Sequence, residues 1–554
     1  MTEFALQAVA VLLRPEDEVA VLKQPLEEGA VIVHEGRTVK LRTAIGPGHK
    51  LALTAVKRDA PVRKYGQIIG YATEDLQPGE WVHTHNLAMA PTPSPSLPRN
   101  GGEGKEGGHA QGGVAVDYEF GTDVKPVDYY APEQIPTFNG IKRGDRRVGT
   151  RNYVALISTV NCAATTTQLI ANVFRDSLDL KTGQRTRSSA LADFPNVDGV
   201  IPIVHKNGCG SAVGRADYVQ LQKTLAGFAN HPNVGAFLIV GLGCETNQAL
   251  AMVQNTGLIS VDSIGSARPE LPPILTIQEA GGIRKTALQG IEETVKLLRK
   301  ANAAKRTPQP ISELVVGTNC GGSDGNSGIT ANPALGLAGD ELVRYGGTWL
   351  IAETTETYGA EHLLTRRAVS REVGEKLLER IRWWEWYTST LGAEINNNPA
   401  PGNKEGGLST IYEKSLGAAA KGGTTPLVYV YDFAERIRHR GFCFMDTPGH
   451  DNPSVTGLVA GGCNLVVFTT GRGSCFGMKP APSLKVATNS RMFNHMQDDM
   501  DINAGLVLEG TSLEDMGRII LDELIAVANG KMTKSEVQGV GEEEFTPWVL
   551  GPIL

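Results

Sequence analysis

Short runs of Val, Ile and Thr, separated by glycine and proline turns, characterise the first 90 residues. Stretches such as AVIVHEG and QIIGYA alternate apolar and polar positions, which is typical of half-buried strands. The pattern predicts a small all-β module at residues 1–90. Its first apolar run, FALQAVAVLL, lacks the basic leader and the cleavage site of a signal peptide, so we expect a strand there.

The apolar pattern disappears between residues 91 and 138. Pro, Ser and Gly dominate this segment, which begins PTPSPSLPRNGGEGKEGG. Such a composition predicts a flexible linker, here of unusual length. A linker of this length lets the β module pack against its own chain or against a neighbouring subunit.

Continuous apolar runs alternate with helical stretches from residue 139 to the end. Runs of this kind are typical of parallel strands that are covered on both faces. They predict an α/β fold in two layers, with a middle domain at 139–308 and a C-terminal domain at 309–554 that holds a largely parallel, Rossmann-like sheet. The runs are YVALISTV, VDGVIPIVH, VGAFLIVGLGCE, ELVVGTN, GTWLIAE, TPLVYVYDF, GFCFMDTP, CNLVVFTTG and LKVAT.

The overall composition narrows the classes of partner. The 554 residues are 41% hydrophobic and 20% charged, with a net charge of −7. Such a mixed, acidic surface gives no basic patch for nucleic acid or for an anionic membrane, so neither is expected as a partner. No apolar run approaches the ~20 residues that a membrane helix needs. We therefore expect a soluble, cytoplasmic protein whose seven cysteines are not paired as disulfides.

Four cysteines follow predicted strands and are flanked by Gly, Asn or other small residues: Cys162, Cys209, Cys244 and Cys320. In open α/β sheets, ligands bind at the carboxyl ends of the strands. The spacing of the four cysteines matches no local zinc motif, so any shared site must be assembled by the fold. For each cysteine alone, a buried structural thiol is the alternative.

His205 and Glu245 lie close to two of these cysteines. His205 is four residues before Cys209, and Glu245 directly follows Cys244. Imidazole, thiolate and carboxylate together suit a borderline ion such as Fe(II), Mn(II) or Zn(II). His205 is also a candidate general base, and the alternative is a strand-terminal histidine bonded to a backbone carbonyl.

Further candidates lie at predicted strand ends and in turns. His83 and His85 are two residues apart on a predicted strand and would share one face. No GxGxxG opens a helix after the first predicted strand, and no GxxxxGK(S/T) occurs in the chain, so nucleotide binding has no support. The remaining candidates are charged residues just past a strand or within glycine-rich turns: Glu353, Glu356, Lys404 and Arg472.

Several motifs together indicate a family. GHKLAL and HTHN in the β module, HKNGCG and GLGCE in the middle, and CGGSDGNSGITANP, NPAPGNKEGG and FTTGRG further on resemble the altronate and galactarate dehydratases. The resemblance covers nearly the whole chain outside the linker. It implies an N-terminal β-clip domain of the SAF type, a requirement for Fe(II), or for Mn(II) in some members, and a homodimer.

The resemblance also implies the reaction, loss of water across C2 and C3 of a sugar acid to give the 2-keto-3-deoxy acid. The HTHN motif is similar to the altronate branch, which favours D-altronate or a related aldonate. The stretch LLTRRAVSREVGEKLLERIRWWEWY is similar to the galactarate branch instead. A sulfolactate sulfo-lyase of the same family would need much the same site.

The resemblance implies one shared pocket for the candidate residues. The candidate catalytic residues are His205, Lys404 and Glu356. The candidate substrate contacts are Ser323, Asp324, Thr330, Asn332, Arg472, His83 and His85. The candidate metal ligands are Cys209, Cys244, Glu245, Glu353, Cys162 and Cys320.

Two alternatives stay open. Cys162, Cys209 and Cys244 could hold an iron–sulfur cluster with one open iron, although their spacing gives no signature for it. The chain could also bind a sugar acid without catalysis. The many Cys, His and Glu side chains at predicted strand ends disfavour a purely binding role.

Overall fold

The computed structural model describes residues 3–89, 118–261 and 269–550, and also the short strands Ala110–Gln111 and Val114–Ala115. The first part of the predicted linker, apart from these two strands, therefore lies outside the described residues. Among the residues that are described, no helix is both long enough and apolar enough to cross a membrane.

The final part of the predicted flexible linker is fixed to the C-terminal domain. The ring of Tyr130 stacks on Tyr345 with centroids 4.4 Å apart, and its hydroxyl donates a hydrogen bond to Glu341 at 2.8 Å. Backbone bonds join Asp123 to Arg366 nearby. The prediction of flexibility is wrong for this part, because aromatic side chains supply packing that the Pro/Gly composition hides.

Three small sheets form the N-terminal β module. Its antiparallel four-stranded sheet has the order Ala10–Val11, Val19–Leu22, Lys50–Ala52 and Trp81–Val82. The other two sheets are Glu3–Ala5, Val31–His34 and Arg37–Lys40, and Leu87–Ala88, Gln67–Ala72 and Pro61–Lys64. The first apolar run is not one strand, since the short helix Leu6–Val9 interrupts it and buries two of its apolar side chains.

A four-stranded parallel sheet forms the middle domain. Its strands, in spatial order, are Gly199–Ile203, Tyr153–Ser158, Val234–Gly241 and Ile274–Thr276. The helices are Asn161–Asn172, Ala216–Ala229, Ala249–Thr256, Ile277–Ala280 and Ile283–Asn302. A small antiparallel sheet of Val148–Gly149, Thr137–Lys142 and Thr307–Pro310 joins the two ends of this domain.

The C-terminal domain contains a seven-stranded parallel sheet, which confirms the predicted fold class. Its spatial order is Leu427–Tyr431, Gly441–Met445, Thr348–Ile351, Val315–Cys320, Leu465–Thr470, Ser483–Ala487 and Ile502–Asn503. All of these runs are buried, as expected for strands covered on both faces. The helices are Ala331–Arg344, His362–Thr365, Arg371–Thr390, Pro401–Glu405, Ile411–Ala419, Asp451–Gly461, Ser490–His495, Leu513–Ala528 and Lys534–Gln538.

A buried ion triad anchors the β module to the C-terminal domain. Lys50 and Lys64 of the β module lie 2.8 Å and 3.0 Å from the carboxylate of Glu413, and none of the three side chains is more than 1% exposed. Burial alone would raise the pKa of Glu413, but the two ammonium groups outweigh it and hold that pKa well below its ordinary value of 4.5. Lys64 also donates a hydrogen bond to the carbonyl of Gly325, which lies in the glycine-rich loop at residues 321–330. The triad therefore ties the β module to this loop.

Candidate functional site

The glycine-rich loop at residues 321–330 joins the strand Val315–Cys320 to the helix Ala331–Arg344. It lies at the carboxyl edge of the large sheet, packed under the β module. A Cβ on Gly325 would lie 1.9 Å from the carbonyl oxygen of Gly48. Glycine at this position therefore permits the close approach of the two domains.

Asp324 organises this loop from within. Its Oδ1 accepts hydrogen bonds from the backbone N–H of Asn326, from Ser327 Oγ and from Thr488 Oγ1 at 2.9–3.1 Å. Its Oδ2 accepts from Asn489 Nδ2 at 3.2 Å. The carboxylate that the sequence suggested for substrate binding is thus occupied by internal donors.

The side chains of Thr330 and Asn332 also form hydrogen bonds within the protein, whereas the side chain of Ser323 does not. Thr330 Oγ1 donates to the carbonyl of Thr488 at 2.8 Å, and Asn332 Nδ2 donates to the carbonyl of Gly417 at 2.9 Å. Ser323 Oγ is buried and has no hydrogen-bond partner within the described ranges. Ser323 keeps a free hydroxyl for a ligand or a water molecule.

Cys320, Glu353 and Glu356 converge beneath the loop. One ligand atom from each lies within 4.8 Å of the others, and all three residues are buried. Glu353 Oε2 accepts the Cys320 backbone N–H at 3.0 Å. Glu353 has a left-handed φ of 67°, a conformation that costs about 1–3 kcal/mol in a non-glycine residue. The backbone N–H of Glu353 donates a hydrogen bond to the hydroxyl oxygen of Thr447 at 2.8 Å.

Two buried lysines complete this group, which we call the buried cluster. Lys421 Nζ lies 2.8 Å from Cys320 Sγ and 2.9 Å from Glu353 Oε2. Lys414 Nζ lies 2.7 Å from Glu356 Oε1. Burial alone would lower the pKa of each lysine, but the neighbouring acidic groups outweigh it and raise both pKa values. Two ammonium groups therefore balance two carboxylates.

Asp451 lies beside the buried cluster. Its Oδ1 accepts a hydrogen bond from Asn319 Nδ2 at 3.1 Å. Burial, reinforced by the charges of Glu353 and Glu356, raises the pKa of Asp451 to about 7. Burial also raises the pKa of the Cys320 thiol, which is therefore neutral near pH 7.

The cavity at the buried cluster is too small for a sugar acid. It encloses about 10 Å³, with Tyr65 of the β module among its lining residues. This is room for roughly one water molecule. Glu356, a predicted catalytic residue, is buried against Cys320 and Lys414, which line this cavity, so it has no open path to a sugar acid in this arrangement.

A second group of candidates meets at the surface between the β module and the helix Pro401–Glu405. His83 Nε2 lies 2.8 Å from the carbonyl oxygen of Lys404. The strand predicted for His83 and His85 is wrong, because it ends at Val82 and the Asn86 side chain accepts the His83 N–H in a turn. His83 is buried, whereas His85 is exposed.

Arg472 lies on the same surface. Its Nη2 is 3.2 Å from Glu405 Oε2, and its side chain is 46% exposed. The carbonyl of Glu405 lies 3.2 Å from His49 Nε2, and the ring of His49 is 5.4 Å from that of His83. The residues His83, His85, Lys404, Glu405 and Arg472 are here called the seam site.

Cys162, Cys209 and Cys244 form a third group, here called the thiol edge. All three are free and exposed at the carboxyl edge of the middle-domain sheet. The carbonyl of Cys209 accepts hydrogen bonds from the backbone N–H and the hydroxyl of Thr246 at 3.1 Å and 2.7 Å. Cys320, predicted to join them, belongs to the buried cluster instead.

Glu245 and His205 lie at the same edge; the carboxylate of Glu245 is bonded internally, whereas the buried Nε2 of His205 has no hydrogen-bond partner within the described residues. His205 is 3% exposed, and burial lowers its pKa to about 4, which makes it a weak base at neutral pH. Its Nδ1 accepts the Asn207 N–H at 3.1 Å. Glu245 accepts from Thr159 Oγ1 at 2.7 Å and from the Gly243 N–H at 2.6 Å.

The structure thus distributes the predicted residues over three places. Sequence reasoning missed Lys414, Lys421 and Asp451 of the buried region. Lys421 offers a faint signal, because it interrupts the run of small residues GAAAKGG. Lys414 offers no such signal, and its Nζ is buried by tertiary contacts with Glu356 and Asn398.

The chain combines a small β module, packed against the C-terminal domain, with two α/β domains that carry acid, lysine and thiol groups near their strand ends. Three family models match the chain: the SAF domain of altronate/galactarate dehydratase at 8–90, the second domain of D-galactarate dehydratase/altronate hydrolase at 140–302, and the C-terminal D-galactarate/altronate dehydratase domain at 311–553. The chain belongs to the altronate/galactarate dehydratase family and is a hydro-lyase of that type.

Curated relatives agree with this family. The chain is 32% identical to the altronate dehydratase of Escherichia coli (strain K12) over 94% of its length and 95% of the relative. It is 32% identical to the altronate dehydratase of Bacillus subtilis (strain 168) over 95% and 96%. It is 34% identical to the galactarate dehydratase (L-threo-forming) of Escherichia coli (strain K12) over 88% and 86%. The relatives support sugar-acid dehydration as the reaction class.

Proposed function

We propose that the chain dehydrates D-altronate, or a related aldonate, to the corresponding 2-keto-3-deoxy acid. The observation that carries the proposal is the seam site, in which His85 and Arg472 are exposed and Lys404 is half-buried beside the glycine-rich loop. A sugar acid offers one carboxylate and several hydroxyls. A guanidinium, an ammonium group and an imidazole at one surface match these groups.

Arg472 is the proposed carboxylate-binding residue. Its guanidinium can donate two parallel hydrogen bonds to a carboxylate. Its present partner, Glu405, is 69% exposed, and exposed ion pairs contribute only about 0–1 kcal/mol. A substrate carboxylate can therefore replace Glu405 at little cost.

Removal of the proton next to the carboxylate is the difficult step, because negative charge accumulates on the carboxylate. Cationic groups at the seam site would stabilise that charge. Lys404 and His85 are the proposed proton-transfer groups, because Glu356 is buried and burial lowers the pKa of His205 to about 4.

Iron(II) is the proposed cofactor, with manganese(II) as the alternative. When bound, such an ion would neutralise developing charge as a Lewis acid. The thiol and two carboxylates of the buried cluster form a suitable donor set. They do not fit the ion electrostatically, because Lys414 and Lys421 already balance the two carboxylates at 2.7–2.9 Å. We therefore assign no metal to the buried cluster.

An anaerobic assay with a substrate panel tests the proposal. The purified chain is incubated with Fe(II) and, separately, with D-altronate, further hexonates, galactarate or sulfolactate, and keto acid and sulfite are measured. We expect keto acid from D-altronate or a related hexonate. Keto acid from galactarate alone would identify the aldarate alternative, and sulfite would identify the sulfo-lyase alternative. Absence of product from every sugar acid would contradict the proposal.

The family resemblance also leads us to propose a homodimer. Sedimentation velocity of the full chain tests it directly, since one and two copies of a 59.1 kDa chain sediment at clearly different rates. A monomer at micromolar concentration would exclude a stable dimer.

A further inference from the structure

Three free cysteines lie in the segments that follow three adjacent strands of the middle-domain sheet. Neighbouring strands lie about 4.8 Å apart, so their carboxyl ends bring the three residues to one short stretch of the sheet edge. The strands and the cysteines that follow them are Tyr153–Ser158 with Cys162, Gly199–Ile203 with Cys209, and Val234–Gly241 with Cys244.

Hydrogen bonds between the loops hold the three cysteines together. The N–H of Asn161, next to Cys162, donates to the carbonyl of Asn207 at 2.9 Å. Thr246, two residues after Cys244, donates twice to the carbonyl of Cys209. The loops are thus connected pairwise, and the arrangement does not depend on the chance position of single side chains.

Two neighbouring groups suit sulfur ligands of a metal site. Cys162 lies in the first turn of the twelve-residue helix Asn161–Asn172, and a helix N-terminus favours negative charge. Gln278 Nε2 lies 3.3 Å from Cys244 Sγ and can donate a hydrogen bond to it. Hydrogen bonds to the ligating sulfur are the usual outer contacts of iron–thiolate sites.

The donor set is sulfur alone. The carboxylate of Glu245 is occupied by Thr159 and by backbone N–H groups, and His205 is buried behind the edge. Soft thiolates without oxygen donors favour iron–sulfur clusters or zinc over Mn(II) or Mg(II).

The spacing of the thiols argues against a single ion. Zinc holds its sulfurs at ~2.3 Å in a tetrahedron, which places them within roughly 4 Å of one another. In the described part of the chain, the thiol edge does not bring three ligand atoms within 4.8 Å of one another, whereas the buried cluster does. A cluster spans a larger gap than one ion does.

We infer that Cys162, Cys209 and Cys244 together hold an iron–sulfur cluster through three thiolates. The inference deepens the proposed dehydration, on which its catalytic meaning rests, because three protein thiolates leave one iron of a four-iron cluster open to a substrate oxygen. The site itself stands on the geometry of the thiol edge and is tested without substrate.

The test uses the full chain, purified anaerobically and reconstituted with Fe(II) and sulfide. Iron, acid-labile sulfide and the absorbance of thiolate-bound iron are measured for the native chain and for Cys162→Ser, Cys209→Ser and Cys244→Ser. Cys475→Ser is the matched control, because Cys475 is also free and exposed but follows a strand of the other sheet. We expect each of the three variants to lose at least half of the sulfide, and the control to keep it.

Alkylation of the native chain gives a second measurement that needs no variant. Cys162, Cys209 and Cys244 should react with iodoacetamide at least tenfold more slowly in the reconstituted chain than after iron removal, whereas Cys475 should react equally in both. Iron without sulfide, retention of sulfide in all three variants, or equal alkylation of the three thiols in both forms would overturn the inference. Keto acid production by a cluster-free chain would overturn the inference, although the proposed function would stand. A cluster in a chain that is inactive on all sugar acids would contradict the proposed function, although the inference would stand.

Discussion

Lys421 Nζ lies 2.9 Å from Glu353 Oε2, and both side chains are at most 2% exposed. Removing one partner of such a pair leaves a buried charge without compensation, which costs about 3–5 kcal/mol. We therefore expect Lys421→Met to lower the free energy of unfolding of the C-terminal domain by about that amount. Urea unfolding followed by tryptophan fluorescence measures it, since Trp349 lies in the same domain and donates to the carbonyl of Lys421.

The double variant Lys421→Met/Glu353→Gln is the control for this prediction. It removes both charges, so it should be more stable than Lys421→Met alone. If Lys421→Met unfolds at the same urea concentration as the native chain, the two residues do not form the ion pair described above.

Glu413→Gln should loosen the β module from the C-terminal domain. The change leaves the ammonium groups of Lys50 and Lys64 buried without their carboxylate, at a cost of about 3–5 kcal/mol. We expect faster cleavage by trypsin in the segment between the β module and the middle domain, and a lower thermal midpoint. Differential scanning calorimetry and timed proteolysis measure the two effects.

Glu405→Gln is the matched control for Glu413→Gln. Its carboxylate is 69% exposed and pairs with Arg472 at 3.2 Å, so its loss should cost less than about 1 kcal/mol. Equal proteolysis of the two variants would show that the buried triad does not anchor the β module.

The buried histidines His205 and His231 should lower the stability of the fold as the pH falls from 6.5 to 5, and Asp451, whose pKa burial raises to about 7, should offset part of this fall. Burial lowers the pKa of His205 to about 4 and that of His231 to about 3, both from 6.5. Between these values the unfolded chain binds more protons than the folded chain, so each histidine removes about 2 kcal/mol of stability between pH 6.5 and 5. Thermal midpoints measured across this range test the prediction. In His231→Gln the thermal midpoint should fall less over this pH range than in the native chain. An equal fall in both would show that His231 does not contribute.

The strands could be predicted from the sequence because burial on both faces makes them continuous apolar runs. The run VGAFLIVGLGCE became the strand Val234–Gly241, and ELVVGTN became Val315–Cys320. The order of the strands could not be predicted in this way. Val315–Cys320 lies between Thr348–Ile351 and Leu465–Thr470, and no local pattern in any of these runs encodes its neighbours.

The candidate site was predicted in part, for a similar reason. Cys320 and Glu353 were found because polar residues directly after an apolar strand mark the carboxyl edge of a sheet. Lys421 was missed because its burial comes from tertiary packing. Asp324 was assigned to substrate because composition cannot distinguish a carboxylate that binds a ligand from one that accepts hydrogen bonds from its own loop.

Arg472→Ala should weaken substrate binding without loss of stability. The guanidinium is 46% exposed and has only an exposed partner, so the thermal midpoint should stay within about 1 °C of native. Loss of a charge-assisted hydrogen bond to a carboxylate costs about 1.5–3 kcal/mol, so KM for the sugar acid should rise roughly 10- to 150-fold. Arg518→Ala is the control, because its side chain is 73% exposed on the helix Leu513–Ala528. Equal values of KM and of kcat in both variants would remove Arg472 from the site, whereas a fall in kcat at constant KM would place its contact in the transition state alone.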